Sequence, residues 1–216
     1  MFTGLIQETG QVVGLQQPAG KSAATRITIT ARNIPHQLKI GDSVAVSGVC
    51  LTAVSVNKKE FSADLAEETL QRTSLGRLQP ASLVNLELPA MASDRLGGHV
   101  VQGHVDGVGK LLSLEKIKGR EDWRLVVALP QDLMRYVVAR GSITLEGISL
   151  TVARVGSAEI EVAIVSHTYQ ATNLHALRPG RLVNVEVDVL AKYAEKMSRR
   201  KSPGKLTVAQ LVKLGF

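Results

Sequence analysis

The chain holds a single cysteine, Cys50, among 216 residues, so no internal disulfide can form. That usage fits a reducing cytoplasm. Aromatic residues make up only 3%. The cores must therefore be built from Val, Ile, Leu and Ala, and the strands offer almost nothing on which nucleobases could stack. No run of about 18 apolar residues occurs, which leaves no membrane-spanning helix and no membrane partner. The opening MFTGLIQETG has neither the basic region nor the apolar stretch of a signal peptide. The five histidines (His36, His99, His104, His167, His175) are dispersed and the cysteine stands alone, so no metal site is expected. Phosphate loops and strand–GxGxxG–helix units are also missing. The Gly-rich segment Gly97–His104 leads into a strand rather than a helix, and any Ser–His–Asp set drawn from the chain has unspecific spacing.

The net charge of +7 raises the question of nucleic acid. Much of the excess lies in one segment, Lys196 to Lys205, which includes Arg199-Arg200-Lys201. A basic tail explains it better than a binding face, and no nucleic-acid partner is expected. Hydrophobic residues at 44% and charged residues at 21% describe an ordinary globular chain.

What the chain does have is an internal repeat. A segment from Gly41 to Glu87 recurs from Arg140 to Glu186, offset by 99 positions without a gap. About a third of the paired positions are identical, among them Gly48/Gly147, Leu51/Leu150, Thr52/Thr151, Thr69/Thr168, Thr73/Thr172 and Asn85/Asn184. The register extends back to Phe2–Ile6 against Val101–Val105. Two copies of one small domain suit a reaction, or a binding event, that involves two similar ligands.

Each copy reads as β-rich. Thr25–Thr30 alternates strictly, as a half-buried strand does. Ser43–Ser47, Val49–Val56, Phe61–Leu65 and Leu83–Leu88 follow, with a hairpin turn at Asn57–Glu60 and a short helix at Glu67–Arg72. The second copy repeats the order with Trp123–Leu129, Ser142–Glu146, Ile148–Val155, Ile160–Val165, a helical turn near His167–Asn173, and Leu182–Val189. It adds a helix at Gln131–Val138 after Pro130. Short strands with glycine turns predict an all-β fold of two tandem, six-stranded antiparallel Greek-key barrels, since closure removes exposed edges. The domains expected are 1–97, 98–189 and a helical segment 190–216. The link Ser93–Gly98 is short and polar, so the barrels sit close together. Beyond Asp188, Leu190, Tyr193, Ala194 and Met197 form an apolar stripe at helical spacing. It packs either on its own chain or on copies of itself. Pro203-Gly204 ends that helix, and Leu206–Leu214 reads as a further short one.

Chemistry is sought where the copies differ. Ser47 pairs with Glu146, Cys50 with Ser149, Leu5 with His104, and Glu68 with His167. Divergence at polar positions suggests two related sites with unequal tasks. Each residue also has an ordinary reading: a strand cysteine is commonly a small buried hydrophobe, the threonines plain strand residues, and Glu146 a turn carboxylate.

The opening MFTGLIQETG, the repeated G-x-x-L-T at Gly48–Thr52 and Gly147–Thr151, the segment GGHVVQGHVDG at Gly97–Gly107 and the two V-N-x-E endings resemble riboflavin synthase, in order and spacing, over nearly all of residues 1–190. The resemblance implies conversion of two 6,7-dimethyl-8-ribityllumazine molecules into riboflavin and 5-amino-6-ribitylaminouracil. One lumazine gives a four-carbon unit to the other, without cofactor. It further implies a cytoplasmic homotrimer joined through C-terminal helices, with sites between the N-terminal barrel of one subunit and the C-terminal barrel of the next. Matching copy to copy, the first pocket would comprise Gly4, Leu5, Ile6, Ser43, Cys50, Leu51, Thr52, Asp64, Leu65, Ala66, Glu67, Glu68 and Thr69. The second would comprise Gly103, His104, Val105, Arg140, Ser149, Leu150, Thr151, Ala163, Ile164, Val165, Ser166, His167 and Thr168. Phe2 and Thr3 would cover the reacting rings. Cys50, Ser149, Glu146, His104, Thr151 and Asp188 are the candidates for proton handling and nucleophile addition. Arg140 stands where Lys is usual in the family and Glu146 where Asp is usual. A rival reading is a non-catalytic lumazine or flavin carrier, like the lumazine proteins of luminous bacteria, for which one good pocket suffices.

Overall fold

The computed structural model describes residues 1–16 and 24–198. Two closed barrels follow one another in the chain. The first is built from β1 (Glu8–Gln16), β2 (Thr25–Thr30), β3 (Ser43–Val46), β4 (Val49–Val56), β5 (Glu60–Leu65) and β6 (Leu83–Glu87), in the order β1-β2-β5-β4-β3-β6. The second uses β7 (Gly107–Lys116), β8 (Trp123–Ala128), β9 (Ser142–Leu145), β10 (Ile148–Val155), β11 (Glu159–Ile164) and β12 (Leu182–Val187) in the equivalent order. All pairings are antiparallel, and the register slips at equivalent places, Val12/Gly14 and Leu111/Ser113, Ala53/Ser55 and Val152/Arg154. Such bulges bend and twist a strand, which a small barrel needs in order to close.

The side-chain period of two explains the cores. On β2, Ile27 and Ile29 point inward and are fully buried; on β8, Leu125 and Val127 do the same. The strands β3, β6, β9 and β12 break the usual inside–outside contrast, because both faces are covered. Val44, Val46, Val84 and Leu86 fill the first core, while Ala45, Asn85 and Glu87 on the opposite face are also buried. In the second barrel Ile143, Leu145, Val183 and Val185 face the core, and Thr144, Asn184 and Glu186 are buried on the other side.

Two differences from the sequence expectation have physical causes. The long strands β1 and β7 lack strict alternation, because glycines and bulges interrupt them. The helix expected over Gln131–Val138 stops as α2 (Gln131–Met134), after α1 (Glu67–Arg72). Beyond it Tyr136 and Val137 donate to Leu133 and Met134, one residue short of the α-helical partner. The β-branched pair Val137-Val138 disfavours continuation. A third short helix, α3 (Ser166–Ala171), repeats α1, and α4 (Val189–Ser198) leaves the second barrel. The stop at Pro203-Gly204 and the helix expected at Leu206–Leu214 lie outside the described residues.

Helix α4 meets its own barrel through its polar side and leaves the apolar stripe uncovered among the described residues. Lys192 bonds Asp106 at 2.6 Å and Glu195 approaches Arg135 at 3.5 Å, tying the polar side to its own barrel. Leu190, Tyr193, Ala194 and Met197 point away and are exposed.

Candidate functional site

The covered faces of β3, β6, β9 and β12 meet across a pseudo-twofold axis, and the backbone contacts and the Asn85 and Asn184 bonds come in pairs related by 99 positions. Phe2 and Val101 exchange both backbone hydrogen bonds, at 2.8 and 3.1 Å. Cys50 N donates to Gly103 O at 2.9 Å, and Ser149 N to Gly4 O at 2.8 Å. Asn85 Nδ2 donates to Glu146 O, and Asn184 Nδ2 to Ser47 O, both at 2.9 Å. Asn173 N donates to Asn85 Oδ1 at 2.7 Å, and Ser74 N to Asn184 Oδ1 at 2.6 Å. On the axis, a Cβ added to Gly48 would stand 2.7 Å from the nitrogen of Gly147, and the reverse substitution is equally tight. Only glycine lets the two backbones touch there.

These contacts correct the grouping of the pockets. Copy-to-copy matching places Gly4-Leu5-Ile6 with Cys50 and Gly103-His104-Val105 with Ser149. In the structure the loops are exchanged: Gly4 lies on Ser149, and Gly103 lies on Cys50. Ile6 packs against the core of the second barrel and Val105 against that of the first. A loop that pairs with its own strand would have to turn back into its own barrel; reciprocal exchange instead satisfies the backbone N–H groups at the start of β4 and β10. The loop Gly103–Val105 thus lies beside Cys50 of the first barrel, and Gly4–Ile6 beside Ser149 of the second.

Two buried carboxylates hold the exchanged loops in place. Glu87 accepts from Thr3 N, Thr3 Oγ1 and Gly4 N at 2.7, 2.8 and 3.0 Å. Glu186 accepts from Gln102 N and Gly103 N at 2.8 and 3.0 Å. Burial pushes both carboxyls above their ordinary range, opposed by these donors. Neither residue was singled out from the sequence as functional, although both end the V-N-x-E motif.

Thr52, Thr151, Leu5 and His104 are exposed on the pocket faces; Cys50, Ser149 and Ser43 are half-buried beside them. Leu51, Leu65, Leu150 and Ile164 turn inward to the cores. Ala66, Glu67, Glu68, Ala163, Val165 and His167 are exposed, and Thr69, Ser166 and Thr168 half-buried, where α1 and α3 begin. Asp64 makes a two-pronged bond with Arg26 at 2.7 and 3.1 Å, whose guanidinium holds the carboxyl below its usual value. Phe2 is buried with Ala45, Val101 and Cys50, and its ring lies against Gly103. Arg140 is exposed with φ +66°, and Asp188 Oδ1 caps α4 by accepting from Leu190 N at 2.9 Å.

Glu146 is directed away from these faces into the contact between barrels. Its carboxylate accepts from Asn184 N at 2.7 Å and Asn173 Nδ2 at 3.0 Å. Burial raises its pKa, against these donors. In the first copy the shorter Ser47 Oγ accepts from the equivalent Asn85 N at 3.3 Å. A cleft of about 690 Å³ also lies on the axis, lined by Arg77, Arg178, Arg181 and Glu146 among others, but it contains no residue of either pocket face.

One residue missed by sequence reasoning is His99. Its Nδ1 lies 2.7 Å from Ser149 Oγ and its Nε2 lies 3.1 Å from Thr144 Oγ1. The signal available was its place in GGHVVQGH, which was read only as part of a resemblance. Among the described residues no cluster of His, Cys, Asp and Glu could hold a metal ion, and no helix is long and apolar enough to cross a membrane.

Comparison with known proteins places this geometry. The lumazine binding domain family matches the chain twice, over residues 3–89 and 102–188. The riboflavin synthase of Mycobacterium tuberculosis is 44% identical over 204 residues, covering 92% of this chain and 98% of that protein. That of Actinobacillus pleuropneumoniae is 41% identical, covering 93% and 91%, and that of Bacillus subtilis is 35% identical over the full length of both. Among solved structures, LumP complexed with 6,7-dimethyl-8-(1'-D-ribityl) lumazine superposes with a TM-score of 0.77 at 22% identity, covering 87% of this chain and 99% of LumP. LumP complexed with riboflavin gives 0.79 at 23%, with the same coverage. At that identity the LumP structures establish the shared fold.

Proposed function

The chain belongs to the riboflavin synthase family of paired lumazine-binding domains, and from that premise we propose that it converts two 6,7-dimethyl-8-ribityllumazine molecules into riboflavin and 5-amino-6-ribitylaminouracil. The observation that carries the reading is the pair of equivalent pockets with unequal chemistry, Cys50 in one and Ser149 in the other, in a chain at 35–44% identity to synthases over nearly its whole length. Two bound rings account for two pockets, and the different task of each ring accounts for the difference between them.

The chemistry needs no cofactor. The electron-poor pteridine ring acidifies its own 7-methyl group and takes up the electron pair, a task that falls to a cofactor in other enzymes. Four carbons move from one lumazine to the other, so the two products together contain the atoms of the two substrates and no external oxidant is consumed. The protein's share is to orient the rings, to meet the developing anion with hydrogen bonds and to transfer protons. The exposed hydroxyls of Thr52 and Thr151, with the half-buried Thr69 and Thr168, suit the ribityl chain or the ring edge. Cys50, Ser149 and His104 are the candidates for moving protons and adding a nucleophile. Asp188 acts through its charge and its cap on α4, and Glu146 through the contact between barrels.

The reacting pair forms between subunits in this reading. Within one chain the barrels touch backbone to backbone at Gly48 and Gly147, and the Phe2–Val101 pairing fills the axis between Cys50 and Ser149. Stacked rings have no room there. The exposed stripe of Leu190, Tyr193 and Met197 on α4 supports assembly through that helix into a homotrimer in the cytoplasm. The test is incubation of purified protein with the lumazine alone in EDTA. Riboflavin should appear; tight binding without conversion would instead make the chain a lumazine carrier.

A further inference from the structure

His99 reaches the second pocket from the link between the barrels, directly after Gly97-Gly98. The link passes very close to the site. A Cβ at Gly98 would collide with the Thr3 carbonyl oxygen and stand 2.9 Å from both Cβ and Oγ of Ser149. The resulting chain Thr144–His99–Ser149 belongs to the second barrel alone. Thr144 pairs with Ala45 of the first copy and Ser149 pairs with Cys50, so neither hydroxyl of the chain has a counterpart there. Duplication therefore supplied two pockets, and only one of them has this hydrogen-bonded chain.

The chain has a direction. A neutral imidazole donates from one ring nitrogen and accepts at the other. The Thr144 hydroxyl is buried and, among the described residues, bonds His99 Nε2 alone. If Nε2 carried the proton, the hydroxyl hydrogen of Thr144 would be left buried and unpaired, which proteins avoid. The tautomer that pairs every hydrogen has Thr144 donating to Nε2 and Nδ1–H donating to Ser149 Oγ. A doubly protonated ring would strand the same hydrogen. Burial holds the imidazole toward its neutral form, opposed by the charge of Asp188. Ser149, with its oxygen engaged by His99, keeps its own hydrogen for the pocket face, and successive donors polarise one another.

We propose that His99 is a positioning residue that, with Thr144, turns Ser149 into a directed hydrogen-bond donor, so that the second barrel binds the lumazine that becomes anionic. The inference rests on the lumazine reading above. When the 7-methyl C–H bond breaks, its proton passes to solvent and its electron pair spreads into the ring, whose oxygen and nitrogen acceptors then carry the charge that Ser149 meets. The first barrel offers Cys50 at the equivalent place, and a thiol is a weak donor. Ser149 is not a base in this arrangement, because His99 donates to it rather than accepting from it.

The experiment uses 6,7-dimethyl-8-ribityllumazine as probe. The pH at which the bound ring ionises is read from its absorbance by stopped flow before turnover, beside kcat, KM and thermal melting. The variants are His99→Leu, His99→Asn and Ser149→Ala. His99→Leu and Ser149→Ala should both move the bound ring's ionisation to higher pH, with kcat falling about tenfold or more and KM changing far less. His99→Asn, whose amide nitrogen can donate from the place of Nδ1, should recover most of both. If His99→Leu fails to fold, the Asn and Ala variants decide the matter. Wild-type protein that bound lumazine without making riboflavin would refute the synthase reading while leaving the ionisation comparison readable. Ring ionisation unmoved in Ser149→Ala, or His99→Asn as impaired as His99→Leu with an intact melt, would overturn the proposal.

Discussion

Asn184→Ala tests whether the contact between barrels is held by hydrogen bonds. Asn184 is buried, accepts from Ser74 N at 2.6 Å and donates to Ser47 O at 2.9 Å. Both partners are backbone groups of buried residues. Truncation leaves one donor and one acceptor unpaired, each costing about 1–3 kcal/mol, so the loss should be about 2–6 kcal/mol. At about 2–4 °C per kcal/mol for a chain of this size, the melting temperature should fall by roughly 4–24 °C. Calorimetry is the assay, because each barrel has its own core and a weakened contact should also separate their unfolding steps. Asn184→Leu restores the volume without the bonds. If Asn184→Leu were as stable as the wild type, packing rather than hydrogen bonding would hold the contact, and the reasoning would fail. A loss under about 0.5 kcal/mol for Asn184→Ala would refute it as well.

Three further outcomes follow from the same geometry. Cys50→Ser makes the two pockets alike and should lower turnover substantially with modest change in lumazine affinity; silence of both Cys50→Ser and Ser149→Ala in steady-state kinetics would remove proton handling from this pair. A chain ending at Val189 loses the exposed stripe of α4 and should lose oligomerisation and turnover together while still binding lumazine, as read by light scattering and activity; a monomer with full activity would place the site within one chain. For pH, burial raises the carboxyl of Glu186 in the folded state, so the folded chain holds that proton more tightly than the unfolded one. Stability from this group is therefore gained as pH falls through the raised value toward the ordinary carboxylate range. In urea titrations the wild type should gain on Glu186→Gln between neutral pH and about pH 4.5, and a constant difference would contradict the sign.

The duplication and the barrels were legible because both rest on local pattern: identical spacing in the two copies, and alternation such as Thr25–Thr30. Helix α1 was placed from Glu67 to Arg72 for the same reason. The exchange of Gly4 and Gly103 between barrels was not legible, because internal homology says which segments are equivalent and not which of them touch. The roles of Asn85, Glu87, Asn184 and Glu186 were hidden by the period of two. On a strand, a polar residue alternating with Val or Leu reads as solvent-facing, and only the neighbouring barrel makes that face buried. Identity of Asn and Glu in both copies was the one available hint. His99 escaped notice because it lies just before the register of the repeat begins, so no copy-to-copy difference drew attention to it.

The most direct test of the account is a mass balance. Purified protein is incubated with 6,7-dimethyl-8-ribityllumazine alone, without metal or nucleotide, and substrate and both products are quantified by chromatography through the time course. The account predicts two lumazines consumed for each riboflavin formed, with one 5-amino-6-ribitylaminouracil released at every time point. Riboflavin formed one for one from lumazine, or formed only when a further reactant is supplied, would contradict it.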